Sequence, residues 1–247
     1  MTGVSSSSRP RAPRTDEKGR AFAGSQLSIQ AWVNCRPESL AEAVLRALSL
    51  DAAPSLLDWG APLAKHSYGE PRDRAFLDCL GLAEKWPVLR KFWPSGGPVW
   101  DAVGLVKQGD RNAVLLVEAK SYPAEVIGGG CKASTGGEPR KQIERALDAI
   151  ATWLGIAQPE SWMGKMYQSA NRFAFVYFLR ELLGVEAYMV NVCFIDDRPP
   201  RSTSKEDWEK AHKEFRKALK IESVPTPWLA DVVLPAIDRS ELLARFP

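Results

Sequence analysis

The sequence predicts a mixed α/β fold in which helices flank a mixed central sheet on both faces. Three observations carry that expectation. Val114-Leu115-Leu116-Val117 is apolar at four consecutive positions, so a strand there shows apolar side chains to both faces, as strands deep in a sheet do. Ala187–Ile195 (AYMVNVCFI) is a second strand of the same kind. Around them run stretches with apolar residues at helical spacing, such as 139–154 and 205–219. Interleaving of the two element types is the pattern of layered α/β domains.

Each element has its own justification. Residues 25–34 (SQLSIQAWVN) fit two templates: alternation of Leu27, Ile29, Ala31 and Val33 suits a strand, while Gln26 and Gln30 one turn apart suit a helix. Pro37–Leu48 is a helix, with Pro37 near its first turn and a stripe of Leu40, Val44, Leu45 and Leu48. Residues 51–69, punctuated by Pro and Gly, read as a connector. A short helix is expected from Glu70 to Leu80 and another from Leu82 to Phe92, interrupted near Pro87, before the turn cluster Pro94–Pro98. A hairpin follows. The glycine-rich stretch 121–138 reads as a mobile loop and lacks the spacing of a phosphate-binding P-loop. Pro139–Leu154 is amphipathic, with Ile143, Leu147, Ile150 and Leu154 on one side. Residues 165–183 are apolar nearly all round and predict a buried helix. Thr203 and Glu206 are spaced for a capping box on a helix over Lys205–Leu219. Trp228–Leu234 is the last expected strand, and no internal repeat is visible.

Composition narrows the class. The chain has 247 residues, 45% hydrophobic and 26% charged, ordinary for a soluble domain with a real core. No apolar run approaches the roughly 18 residues of a membrane span, and the N-terminus lacks the apolar centre of a secretory signal. The expected location is the cytoplasm, with no membrane partner. Cys35, Cys79, Cys131 and Cys193 form no C-x-x-C pair, which argues against a zinc site or disulfide framework and for reduced, packed thiols. The net charge is +3, and residues 1–20, with five basic and two acidic side chains, hold all of it. Residues 1–23 are therefore expected to be a disordered, basic, Ser/Pro-rich tail ahead of a single domain over 24–247. Any nucleic-acid surface on that domain must be a local patch. Two histidines, His66 and His212, and the lack of a G-x-S-x-G elbow leave no case for a cysteine or serine hydrolase.

The hairpin carries the chemistry. With a four-residue turn at Gly109–Asn112, Gln108 faces Ala113, Val103 faces Glu118 and Lys120 faces Asp101. Side chains alternate between faces, so Asp101, Glu118 and Lys120 point one way. Glu118 is then a diagonal neighbour of Asp101, roughly 7–8 Å away, and a one-residue slip would scatter the group. Two converging carboxylates repel unless a cation lies between them. Mg²⁺ takes one or two carboxylates, keeps waters and accepts phosphate oxygens; the Ala119 carbonyl is a further ligand. Such an ion polarises a phosphodiester and acidifies a bound water. Lys120 is placed to hold that water or to counter charge on the phosphoryl oxygens. Alone, Glu-x-Lys is a common cross-strand ion pair. Its weight here comes from Asp101 on the partner strand and a downstream helix carrying Gln142.

Pro98-Val99-Trp100-Asp101 and Glu118-Ala119-Lys120 together resemble the signature of the PD-(D/E)xK nuclease superfamily, with the proline three residues ahead of the aspartate rather than adjacent. The resemblance implies a restriction endonuclease-like core. It implies Mg²⁺, or Mn²⁺ as a substitute, on Asp101, Glu118 and Ala119, with Lys120 serving the attacking water. It also implies a helix-borne glutamine, for which Gln142 is placed, and a carboxylate from a helix before the hairpin, where Glu70 is favoured over Asp73 and Glu84. Gly24-Ser25-Gln26, Trp32-Val33-Asn34, Tyr68–Gly81, Phe92–Pro94 and Tyr167–Arg172 extend the likeness to uncharacterised bacterial members across residues 24–235. The function implied is hydrolysis of phosphodiester bonds in nucleic acid, DNA in preference to RNA, with a homodimer or larger system as the setting in which such nucleases often act. Lys132, Arg140 and Lys141 are the expected phosphate contacts. Trp93, Trp100 and Trp162 are the rings available to stack on bases. One alternative is a nuclease-like module that binds nucleic acid or a protein partner without cutting. Another is an unrelated α/β interaction protein in which Glu118 and Lys120 simply pair.

Overall fold

The computed structural model describes residues 13–50, 55–109, 111–197 and 202–247. Five strands form one sheet: β1 (Ser55–Ala61), β2 (Ala102–Gln108), β3 (Arg111–Lys120), β4 (Ala187–Ile195) and β5 (Leu229–Pro235), in that spatial order. The pairings β1–β2 and β2–β3 are antiparallel, while β3–β4 and β4–β5 are parallel. Parallel neighbours need long crossovers. Helices α5 (Glu138–Trp153) and α6 (Tyr167–Tyr177) make the first, and α7 (Lys205–Ala218) makes the second. The predicted α/β class with a mixed sheet is what the chain adopts.

Both faces of the sheet are covered, and the sequence shows why. Every residue of β3 from Ala113 to Lys120 is buried, as its unbroken apolar run demands. α6 and α7 lie over the face that carries Glu118 and Lys120. Helices α1 (Gly24–Cys35) and α2 (Pro37–Ala47) cover the other face, with α8 (Arg239–Arg245) packed on α1. The ambiguity over residues 25–34 resolves as helix. Seven successive residues of α1, Leu27–Val33, are buried, because sheet, α2 and α8 enclose it. A helix enclosed on all sides loses the one-sided apolar stripe by which helices are read.

Several boundaries differ from expectation for local reasons. The connector 51–69 contains β1, in which Leu57 and Trp59 point inward and Asp58 outward; a half-buried edge strand so short offers little periodicity. The helix expected from Glu70 begins at Asp73 as α3 (Asp73–Cys79), since Pro71 biases Glu70 away from helical dihedrals. Pro87 sits in the first turn of α4 (Trp86–Phe92) and starts that helix rather than interrupting one. The box capping α7 is Ser204 with Asp207, not Thr203 with Glu206. Thr203 instead donates its hydroxyl hydrogen to the Ser121 carbonyl at 3.0 Å.

Residues 13–23, expected as part of a disordered tail, are structured. Thr15 bridges to Ala21, Asp16 accepts from Arg20 (2.7 Å) and Arg239 (2.6 Å), and the Ala21 amide donates to Gln30 Oε1 (2.8 Å). Basic residues that looked like tail charge are paired with the body; residues 1–12 lie outside the described part. Trp93, Trp100 and Trp162 are fully buried, so none presents a face for stacking bases. Trp93 and Trp100 pack with Phe76 and Phe175 at centroid distances of 5.7–6.3 Å. This aromatic block fixes the chain that enters β2, and with it the position of Asp101. The four cysteines are free thiols, and among the described residues no helix is long and apolar enough to cross a membrane.

Candidate functional site

The hairpin register is tighter than the sequence suggested. Ala102 pairs with Val117 and Gln108 with Arg111, which leaves two residues between the strands instead of four. Relative to expectation β3 has moved by two residues. Strand side chains repeat with period two, so a shift of two preserves faces where a shift of one inverts them. Extending the ladder one step puts Asp101 directly opposite Glu118. The Asp101 side chain occupies that step itself: its Oδ2 accepts the Ala119 amide hydrogen at 2.7 Å. A strand residue sends its N–H and C=O to the same edge, so the Ala119 carbonyl also faces the Asp101 side, beyond the end of the β2 ladder.

Glu118 is held from three directions. Lys120 Nζ donates to Glu118 Oε1, as does Gln168 Nε2 at 2.8 Å, and Arg172 Nε donates to Oε2 at 2.7 Å. Glu118, Lys120 and Arg172 are only 5%, 9% and 6% exposed. The two cations hold the Glu118 carboxyl below the usual carboxylate range despite its burial. In turn Glu118 and Asp101 raise the Lys120 ammonium above the usual lysine value. Arg172 also donates to the Val99 carbonyl (2.9 Å) and lies 5.2 Å from the Trp100 ring centre. One guanidinium thus ties the end of β3, the approach to Asp101 and α6 together.

Asp101 behaves oppositely. Burial and the neighbouring Glu118 charge push its carboxyl up to about 7, against an ordinary 3.8, with Lys120 and the Ala119 amide opposing and Glu70 adding to the rise. Glu70 itself is raised by burial, while it accepts a hydrogen bond from Gln26 Nε2 at 2.9 Å. Glu118 and Lys120 both act on it. So Glu70 does join the group, but from the loop before α3 rather than from a helix. The site is a crowd of three carboxyls with two cations, and both cations are bonded to Glu118.

Other expected site residues fall elsewhere. Gln142, on α5, donates to the Arg90 carbonyl at 2.7 Å and lines a separate surface hollow with Phe92 and Tyr177. The helix-borne glutamine at the carboxylates is Gln168, on α6. A usable signal existed: Gln168 and Arg172 stand four apart, on one face of α6. Arg140 pairs with Glu144 at 2.9 Å, Lys141 is exposed on α5, and Lys132 lines a groove that reaches Gln168. Of the three expected phosphate contacts, only Lys132 borders a cavity next to the cluster.

A second polar group lies across the sheet on the same face. Glu118 is paired in register with Asn191 and Asn191 with Asp231, while Lys120 is paired with Cys193. Asp231 accepts from Asn191 (2.7 Å) and Arg216 (3.1 Å). His212 Nε2 lies 3.3 Å from Cys193 Sγ, and its Nδ1 lies 3.9 Å from Asp231 Oδ2. Burial raises the Cys193 thiol and lowers the His212 imidazole, so both are neutral. The imidazole stacks on the Trp208 ring, with centroids 5.7 Å apart. A cavity of about 50 Å³ separates this group from Glu118 and Lys120, room for a few waters.

Among the described residues no three His, Cys, Asp or Glu side chains cluster so as to hold a metal. A Mg²⁺ site needs fewer, since the ion keeps waters and uses one or two carboxylates. Asp101, Glu118 and the Ala119 carbonyl fit that demand. Asp101 Oδ1 accepts no hydrogen bond among the described residues, and burial with the neighbouring Glu118 charge makes its carboxyl a weaker acid than usual. No family model matches the chain, and neither a curated protein nor a solved structure does.

Proposed function

We propose that the chain is a metal-dependent nuclease with a restriction endonuclease-like core, hydrolysing phosphodiester bonds in nucleic acid, DNA in preference to RNA. The observation that carries the reading is Asp101: a carboxyl from the opposite hairpin arm, level with Glu118, that burial and the neighbouring Glu118 charge push up to about 7. Asp101, Glu118 and the Ala119 carbonyl would hold Mg²⁺ or Mn²⁺, which when bound supplies a polarised phosphodiester and a more acidic water. Lys120 is a charged donor at the same spot, suited to fix that water or to stabilise charge on the phosphoryl oxygens. Arg172 and Gln168 position Glu118, and Gln26 holds Glu70, whose charge acts on Asp101. Antiparallel β1–β2–β3 joined to parallel β3–β4–β5 supports the core assignment.

A second reading has its own observation. Both Glu118 oxygens already accept hydrogen bonds from Lys120, Gln168 and Arg172. A carboxylate so occupied suits a nuclease-like module that binds nucleic acid or a protein partner without cutting. The Glu118–Lys120 ion pair is also what an interaction protein of unrelated descent would show; the uncompensated Asp101 is what that account leaves unexplained.

Cleavage of DNA and RNA with Mg²⁺ or Mn²⁺ tests the proposal. Wild type is expected to cut and to stop when the metal is chelated. Asp101→Asn and Lys120→Ala are each expected to lose about 100-fold or more, the scale for removing an electrostatic contact to a transition state. Cutting at wild-type rate by both variants would overturn the mechanism. Binding without cutting, at any metal concentration, would select the second reading.

A further inference from the structure

A groove of about 580 Å³ opens beside the carboxylates, within the 300–1,000 Å³ range of small-ligand sites. It lies between the loop after α4, the glycine run 128–130 and α6. Gln168 belongs to both places: it lines the groove and donates to Glu118 at 2.8 Å. The groove is poor in charge. No carboxylate lines it, and Lys132 is its one cation among the described residues. A track for a phosphate backbone needs several basic side chains, so this is not one. Pro94, Ile143 and Tyr167 give it apolar walls.

Its polar groups are unengaged and of both kinds. The Gly129 and Gly130 amides donate to nothing among the described residues. Asn171 uses its Oδ1 for Arg172, and among the described residues its Nδ2 donates to nothing and the Gln168 Oε1 accepts nothing. Donors and an acceptor within apolar walls are what the edge and faces of a nucleobase require. A base in a duplex cannot offer them, because its edge is paired and its faces stacked. We propose that the groove holds an unpaired nucleobase of the strand being cut, so that the substrate is single-stranded, frayed or flapped nucleic acid rather than continuous duplex. The inference rests on the nuclease reading of the adjoining carboxylates.

The glycine run supplies the test. Gly130 has φ +79°, and an added Cβ would approach the Met163 carbonyl oxygen at 3.1 Å, so it is a poor place to substitute. A Cβ on Gly129 meets nothing within 4 Å and its φ is not positive, so Gly129→Phe can fill the groove without strain. Asn171→Asp is the companion variant: it keeps the oxygen that Arg172 uses and removes the free donor.

Binding of a single-stranded deoxyoligonucleotide and of its blunt duplex would be measured on the full chain by fluorescence anisotropy, with cleavage and Mn²⁺ affinity in parallel. The expected result is single-strand binding at least tenfold tighter than duplex, lost tenfold or more in Gly129→Phe and weakened in Asn171→Asp, with Mn²⁺ affinity unchanged in both. Equal binding of the two substrates, or wild-type single-strand affinity in both variants, would overturn the groove assignment; continued metal-dependent cutting in that case leaves the nuclease reading standing. Single-strand binding that Gly129→Phe abolishes, with no cutting and no Mn²⁺ affinity, supports the groove and removes the nuclease.

Discussion

Two polar clusters share one face of the sheet, two strands apart, and they are balanced differently. Around Asp231 each charge is answered. Arg216 and Asn191 bond its oxygens, and His212 and Cys193 are kept neutral by burial. Around Glu118 the two cations converge on one carboxylate, while burial leaves Asp101 and Glu70 weaker acids than usual. The first arrangement is complete as it stands. The second has a surplus of acid that is costly to ionise without a cation. Acids perturbed in this way gather at functional sites, which is the ground for proposing chemistry there even though the Cys193–His212–Asp231 grouping looks more like an active site by residue type.

The largest expected contrast is between the arginines of the two clusters. Arg172→Ala removes one of the two cations on the buried Glu118, together with the bond to the Val99 carbonyl, and should lower stability by about 3 kcal/mol. Arg216→Ala, at a partly exposed pair, should cost about 1 kcal/mol or less. Denaturant midpoints of the two variants check both numbers, and equal losses would erase the distinction drawn between the clusters.

Next in size is the coupling between metal and proton. If Mn²⁺ binds Asp101, it must displace the proton that the raised carboxyl retains below about 7. Affinity should rise about tenfold per pH unit up to that point and then level off, with the slope absent in Asp101→Asn. Isothermal titration across pH 5.5–8.5 measures it. A flat profile in the wild type would break the link between Asp101 and the ion.

The metal-free chain should show the same group in its stability. Asp101 has a folded value above its unfolded one, so the folded state holds the extra proton between about 4 and 7. The stability this contributes is complete below about 4, declines as pH rises, and is gone above about 7. Thermal melts should therefore show Asp101→Asn less sensitive to pH over that interval, and more stable than wild type at pH 8 without metal. The smallest effect is expected at the balanced cluster: Cys193→Ser should leave cleavage within about twofold, since a neutral thiol beside a neutral imidazole has no part in the chemistry proposed.

Much of this was legible in the residues. The apolar run at 114–117, the strand at 187–195 and the stripe of α5 specify their elements because burial on a sheet or a single helix face writes its period into the chain. The convergence of Asp101, Glu118 and Lys120 was also legible, and it survived a two-residue error in register because side-chain direction depends only on parity. What failed was whatever depended on a partner distant in sequence. Gln142 and Gln168 are equally plausible from their helices. Only the packing of α6 over β3 brings the second to Glu118 and leaves the first at the Arg90 carbonyl. Arg172 is tied to Glu118 by the same packing, across 54 residues of sequence.

By itself the sequence determined the α/β class, the buried central strand, and the side of the hairpin on which two acids and an amine must lie. These follow from local periodicity, which needs no knowledge of the rest of the chain. The tertiary structure decided how those charges are shared: that Arg172 and Gln168 join Lys120 on Glu118, that Glu70 arrives from a loop, and that Asp101 is left without a cation. Charge balance in a buried site is a sum over every neighbour within a few ångströms, and neighbours from remote segments enter that sum only once the helices have packed on the sheet.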